Sequence, residues 1–187
     1  MKKVFIVHGF KSSPNSCWFP WLMAELEKEG VYACSLSMPS PSTPNREEWV
    51  MEIARNINRN RDDELFLVGH SLGVAAVLNY LQSAAVDAQI SGVVLVAGRC
   101  IKVKNPILES FYSGNNFEEI RKSTRCFAVI HGDNDPVVPF QNGEQIAESL
   151  EVQLIVVPSG GHLGGRDGWY ELPQCLEALH EMFTGEI

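Results

Sequence analysis

Six short apolar runs, rich in β-branched residues, recur along the chain: "VFIV" (4–7), "VYACSL" (31–36), "LFLVG" (65–69), "GVVLVA" (92–97), "CFAVI" (126–130) and "QLIVV" (153–157). Several are apolar throughout rather than alternating, the pattern of strands covered on both faces. Between them, longer stretches with helical spacing run over about 18–29, 46–59, 72–85, 116–122, 141–149 and 169–183. Strand–helix alternation of this kind predicts a mostly parallel six-stranded sheet with helices on both faces, an α/β fold. "SMPSPSTPN" (37–45) holds three prolines and must be a loop. Residues 98–115 form the longest stretch without a clear element, although "PILESFY" has room for a short helix. There is no internal repeat, and one domain spanning 1–187 is the expected organisation.

The run 65–69 leads straight into Gly69-His70-Ser71-Leu72-Gly73 and then into an apolar helix pattern. In an open α/β sheet, ligands bind beyond the carboxyl ends of the strands, where Ser71 would stand. A sharp strand-to-helix turn strains the serine backbone, exposes its hydroxyl, and crowds the positions two before and two after. Gly69 and Gly73 relieve that crowding. A serine hydroxyl needs a base oriented by a carboxylate. His162, in the glycine-rich loop "PSGGHLGG" (158–165) after the last strand, is the candidate base. "FAVIHGDNDPVVPF" (127–140) offers two carboxylates, Asp133 and Asp135. Asp135 is favoured because Pro136 and Pro139 stiffen its turn, with Asp133 closing the turn through backbone hydrogen bonds. An oxyanion needs preorganised donors. The Leu72 amide, following the nucleophile, and the Phe10 amide, in the loop after the first strand, fill that role.

The other histidines have simpler readings. His8, His70 and His131 each end a strand and suit local hydrogen bonding; His180 lies on the polar side of the last helix. No acidic ligand or H-E-x-x-H helix accompanies the first three, so no metal site is expected, and nothing in the chain implies a cofactor. The chain has 187 residues, 45% hydrophobic and 20% charged, which are ordinary globular values. A net charge of −8 argues against a nucleic-acid partner. Arg99, Lys102 and Lys104 make a small basic cluster that reads as a solvated face. Five widely spaced cysteines without a C-x-x-C pair suit a reducing, cytoplasmic setting. "MKKVFIVHGF" is too short in apolar residues for a signal segment, and no run is long enough for a membrane span.

"VHGF" followed by "NSCWFPWL" (15–22), "GHSLG" (69–73), "HGDNDPVVP" (131–139) and "GGHLG" (161–165) together resemble the small serine hydrolases of the YdeN/retinoblastoma-binding-protein-nine type, over nearly the whole chain. The resemblance implies a compact α/β-hydrolase fold without a lid domain. It carries the family's serine, aspartate and histidine to Ser71, Asp135 and His162, its oxyanion donors to the Phe10 and Leu72 amides, and its signature aromatic to Trp18 as a substrate-site residue. For Trp18 and Trp21, packing of the first helix on the sheet is the other reading. The retinoblastoma-pocket motif L-x-C-x-E is absent; the stretch from Leu172 through Cys175 to Glu177 has one residue too many. The expected function is hydrolysis of small-molecule carboxylic esters or thioesters through an acyl-serine. The alternative is a protein-interaction module on a hydrolase scaffold. Oligomeric state, acyl preference and natural substrate are left open by the sequence.

Overall fold

The computed structural model describes residues 1–60, 62–83, 89–124 and 126–186. Its strands are β1 (Lys2–Val7), β2 (Tyr32–Ser35), β3 (Glu64–His70), β4 (Ile90–Val96), β5 (Phe127–Gly132) and β6 (Leu154–Val157). They form one sheet in the order β2-β1-β3-β4-β5-β6, and every neighbouring pair is parallel. All six predicted strands are present, within two residues at most ends.

Among the described residues, α1 (Phe19–Lys28), α2 (Arg46–Asn58), α3 (Leu72–Leu81), α4 (Phe117–Lys122) and α5 (Gln141–Leu150) connect them, and α6 (Pro173–Thr184) follows β6. Alternate strand residues feed two apolar layers. Phe5, Val7, Leu65 and Leu67 pack with Trp49 and Ile53 of α2, the apolar side of α3, and Ile146 of α5. Val4, Ile6, Phe66 and Val68 pack with Phe19, Leu22 and Leu26 of α1 and with Ala178 and Leu179 of α6. All ten residues of α3 are buried, which explains why its sequence is apolar all round.

Two helices differ from expectation. The helix expected over 169–183 begins at Pro173, because the proline ring bars helical geometry from the residue before it. Leu172 is accordingly non-helical, at φ −141° and ψ 79°. Residues 169–172 instead belong to the loop that carries His162. The helix expected over 72–85 ends at Leu81, and positions 84–85 lie outside the described residues. The "PILESFY" stretch does hold a short turn of 3-10 helix, Glu109–Tyr112.

The strand order creates the functional edge. From β1 the chain runs outward to β2, then returns so that β3 begins a walk in the opposite direction. The loops after β1 and β3 therefore diverge, leaving a crevice at their carboxyl ends. Phe10 and Ser71 are the residues carried there.

Candidate active site

Ser71 sits between β3 and α3 with φ 55° and ψ −117°, a conformation that ordinary side chains rarely adopt. The turn closes so tightly that a Cβ on Gly73 would lie 2.0 Å from the Val7 carbonyl oxygen. One on Gly69 would lie 2.9 Å from the Gly73 oxygen. Both positions therefore require glycine, as the pentad predicted. The Ser71 N–H donates to the Val96 carbonyl at 2.9 Å, tying the turn to β4.

His162 Nε2 lies 2.9 Å from Ser71 Oγ, and His162 Nδ1 lies 2.7 Å from Asp135 Oδ2. A carboxylate can only accept here, so Nδ1 carries the ring proton and Nε2 is the acceptor facing the serine hydroxyl. Asp135 Oδ1 accepts the Val137 and Val138 N–H groups at 2.7 and 2.8 Å. His131 Nε2 donates to the Val138 carbonyl at 3.0 Å and stands 3.4 Å from Asp135 Oδ2. Burial pushes the Asp135 carboxyl up, but the hydrogen bonds from His131, His162 and the Val138 N–H outweigh it. The group is held well below the usual carboxylate range, and so is ionised.

The loop bearing His162 is held through its backbone. Asp167 Oδ2 accepts the His162 N–H at 2.9 Å, Asn134 Oδ1 the Gly161 N–H at 2.7 Å, and Asp133 Oδ1 the Ser159 N–H at 2.7 Å. Asp133 thus ties two loops together, whereas the turn after β5 is closed by Asp135 itself. The Trp169 and Trp18 indoles donate to the carbonyls of Gly160 and Leu163 at 2.7 and 2.9 Å. His70 Nε2–H donates to the His162 carbonyl at 3.0 Å. Burial above all, with the His162 imidazole beside it, pushes the His70 imidazole down to about 3, so it is neutral.

Trp18 is a correction. It has 0% exposure, stacks edge-on against Phe19 and His70, and cannot touch a substrate. Its role is to support the His162 loop from beneath, because the first helix must bury its leading aromatics against the sheet.

The amide donors are on opposite sides of the crevice. Leu72 opens α3, where helix geometry offers its N–H no internal acceptor. Phe10 follows Gly9, which touches the nucleophile: a Cβ there would lie 3.0 Å from Ser71 Cβ and 3.4 Å from Oγ. Among the described residues, the Phe10 N–H has no acceptor. His8 shapes this loop, donating from Nδ1 to the Gly9 carbonyl at 2.9 Å and accepting the Met38 N–H at Nε2. The local hydrogen bonding expected of His8, His70 and His131 is present, whereas sequence reasoning passed over Asn134 and Asp167, whose side chains hold the His162 loop.

Two other features lie apart. His180 on α6 contacts the Glu29 carboxylate at 2.9 Å. A cavity of about 500 Å³, lined by Met1, Asp63, Glu64, Ser91 and Cys126 among others, opens at the amino ends of the strands, the wrong edge for this chemistry. Among the described residues, no helix is long and apolar enough to cross a membrane.

A family model described as serine hydrolase matches residues 4–181. YdeN of Bacillus subtilis (strain 168) is 32% identical over 187 residues, covering 99% of this chain and 98% of its own length. The serine hydrolase RBBP9 of Rattus norvegicus is 20% identical over 166 residues, covering 87% and 86%. The crystal structure of the B. subtilis ydeN gene product superposes with a TM-score of 0.92, covering 98% of this chain and 100% of that one.

Proposed function

The chain belongs to the serine hydrolase family, and from that premise we propose that it cleaves small carboxylic esters or thioesters through an acyl intermediate on Ser71. Ser71 Oγ attacks the carbonyl carbon while His162 Nε2 takes the hydroxyl proton. The negative oxygen of the tetrahedral intermediate accepts hydrogen bonds from the Leu72 and Phe10 N–H groups. Collapse breaks the bond to the leaving alcohol or thiol, which receives the proton from His162. A water molecule, deprotonated by His162, then attacks the acyl carbon, and Ser71 leaves with its proton restored. Asp135 keeps the imidazole in the tautomer this requires and stabilises the imidazolium that forms.

One observation carries the reading: the unbroken line of hydrogen bonds from Asp135 Oδ2 through the His162 ring to Ser71 Oγ, at 2.7 and 2.9 Å. The strained Ser71 backbone supports it: at φ 55° and ψ −117° it lies outside the left-handed helical region that Glu151 takes at a helix end, at φ 61° and ψ 38°. Cys17, Cys34, Cys100 and Cys175 are free thiols, which supports a reducing compartment such as the cytoplasm. The test is labelling with a fluorophosphonate probe, read by peptide mass spectrometry. A single adduct on Ser71, lost in Ser71→Ala with the fold intact, is the expected result; an adduct on another serine would contradict it.

A further inference from the structure

We infer that His8 is the positioning residue of the oxyanion pocket: its Nδ1–H grips the Gly9 carbonyl and, through the rigid Gly9–Phe10 peptide, aims the Phe10 N–H. The inference rests on the acyl-serine reading above and names the side chain that holds one of its two donors in place.

The first ground is the planarity of that peptide. His8 Nδ1 lies 2.9 Å from the Gly9 carbonyl oxygen, which can only accept, so this nitrogen carries the ring proton. The Ser12 N–H reaches the same oxygen at 3.3 Å. The Gly9–Phe10 bond is trans, so its C=O and N–H lie in one plane and point to opposite sides. Fixing the carbonyl therefore fixes the amide. With the oxygen turned to the imidazole, the Phe10 N–H is left on the far side of the peptide, and among the described residues it meets no acceptor.

The second ground is the glycine itself. A Cβ on Gly9 would lie 3.0 Å from Ser71 Cβ and 3.4 Å from Oγ, so contact with the nucleophile leaves little room for a side chain. The same lack of a Cβ lets the following peptide plane rotate at little cost. A loop that uses glycine for contact needs a separate restraint for direction. His8 supplies it.

The third ground is how firmly the imidazole is held. It is only 1% exposed. Nε2 accepts the Met38 N–H at 3.3 Å, and burial, which pushes the imidazole down, keeps that nitrogen unprotonated. The Trp49 ring stands edge-on to it, with centroids 5.6 Å apart, and anchors its own indole N–H on the Pro39 carbonyl at 2.7 Å. The Lys11 N–H donates to the Pro41 carbonyl at 2.8 Å. The loop after β2 thus braces the loop after β1 on both sides of Phe10, although it contributes no reacting group. Turning the ring to release Gly9 would break both of its hydrogen bonds.

The experiment separates the two ring nitrogens. An asparagine amide nitrogen falls where Nδ1 stands and a glutamine amide nitrogen where Nε2 stands, so His8→Asn keeps a donor for Gly9 and His8→Gln does not. With p-nitrophenyl acetate, His8→Gln should lose about tenfold to a hundredfold in kcat with KM within about threefold, since an oxyanion donor is worth on the order of 10²–10³. His8→Asn should stay within about fivefold of the wild type, whereas a purely packing role would penalise both variants alike. A trifluoromethyl ketone, which forms a charged hemiketal on Ser71, should lose affinity for His8→Gln by the same factor as kcat. In the wild type, long-range proton–nitrogen correlation spectra should show His8 protonated at Nδ1 and bare at Nε2, a readout that needs no folded variant. Asparagine no better than glutamine, or the proton on Nε2, overturns the inference and leaves the hydrolytic reading standing. No ester turnover by the wild type, with Ser71 unlabelled by the fluorophosphonate, overturns both.

Discussion

Replacing Asp135 by asparagine changes one atom's chemistry and should silence the site. In the native arrangement Asp135 Oδ2 accepts from His162 Nδ1 at 2.7 Å and faces the His131 Nε2–H at 3.4 Å. Asparagine can keep Oδ1 on the Val137 and Val138 amides, but it then presents an NH₂ where Oδ2 stood. A donor there forces the His162 proton onto Nε2, the nitrogen that must accept the Ser71 proton. Loss of the correct tautomer costs on the order of 10³–10⁴ in turnover. Stability should fall as well, because two charge-assisted hydrogen bonds become neutral ones and the new NH₂ opposes the His131 N–H. About 2 kcal/mol is the expected scale, or about 4–8 °C in a chain of this size. Asp133→Asn is the control. Its Oδ1 still accepts the Ser159 N–H, now at 2.7 Å, so less than tenfold in rate and under about 1 kcal/mol should be lost. Steady-state ester hydrolysis and thermal melts on both variants decide the matter. A large rate loss in Asp133→Asn, with Asp135→Asn near normal, would refute the assignment.

Two further predictions address the frame around these groups. Gly73→Ala would set a Cβ 2.0 Å from the Val7 oxygen and 2.9 Å from the His8 oxygen, both backbone atoms. At least about 3 kcal/mol of stability should go, with the fluorophosphonate adduct; a variant that melts with the wild type would contradict the packing argument. His70 is neutral in the fold down to about pH 3, whereas in the unfolded chain it protonates near ~6.5. The unfolded state therefore binds the extra proton between those values, and stability falls as pH drops through that window. By pH 5 the loss from His70 is about 2 kcal/mol. Asp135, whose folded value is depressed instead, contributes stability above its unfolded value near ~3.9 that is lost as pH falls through and below it, so it adds little slope between pH 7 and pH 5. The gap between urea midpoints at pH 7 and pH 5 should narrow in His70→Gln, with buried His8, also pushed down, keeping part of it; an unchanged gap would exclude His70 as a source.

The strands were readable because each is a continuous apolar run, the mark of a strand covered on both faces, and the pentad 69–73 was readable because its glycines answer a local steric demand. Ser71, Asp135 and His162 could be chosen from local context, since each stands just past a strand's carboxyl end, and the fold brings the three within hydrogen-bond distance. What could not be read depends on contacts between distant loops. Trp18 meets the Leu163 carbonyl 145 positions away, and His70 meets the His162 carbonyl 92 positions away. A lone motif residue says nothing about which side of such a contact it takes, so Trp18 was assigned to the substrate surface when it lies beneath the site. The start of α6 was misplaced for a similar reason. Residues 169–172 have helical spacing, but the Trp169 side chain is drawn away to the Gly160 carbonyl and Pro173 bars helix before it.

The central claim is that chemistry passes through an acyl group on Ser71. Intact mass measured on samples quenched in acid within the first turnovers of p-nitrophenyl acetate tests it directly. A transient acetyl adduct that maps to the peptide containing Ser71, is absent in Ser71→Ala, and accumulates together with a burst of p-nitrophenol is the predicted result. Rapid turnover that requires Ser71, with neither burst nor adduct at any quench time, would contradict it.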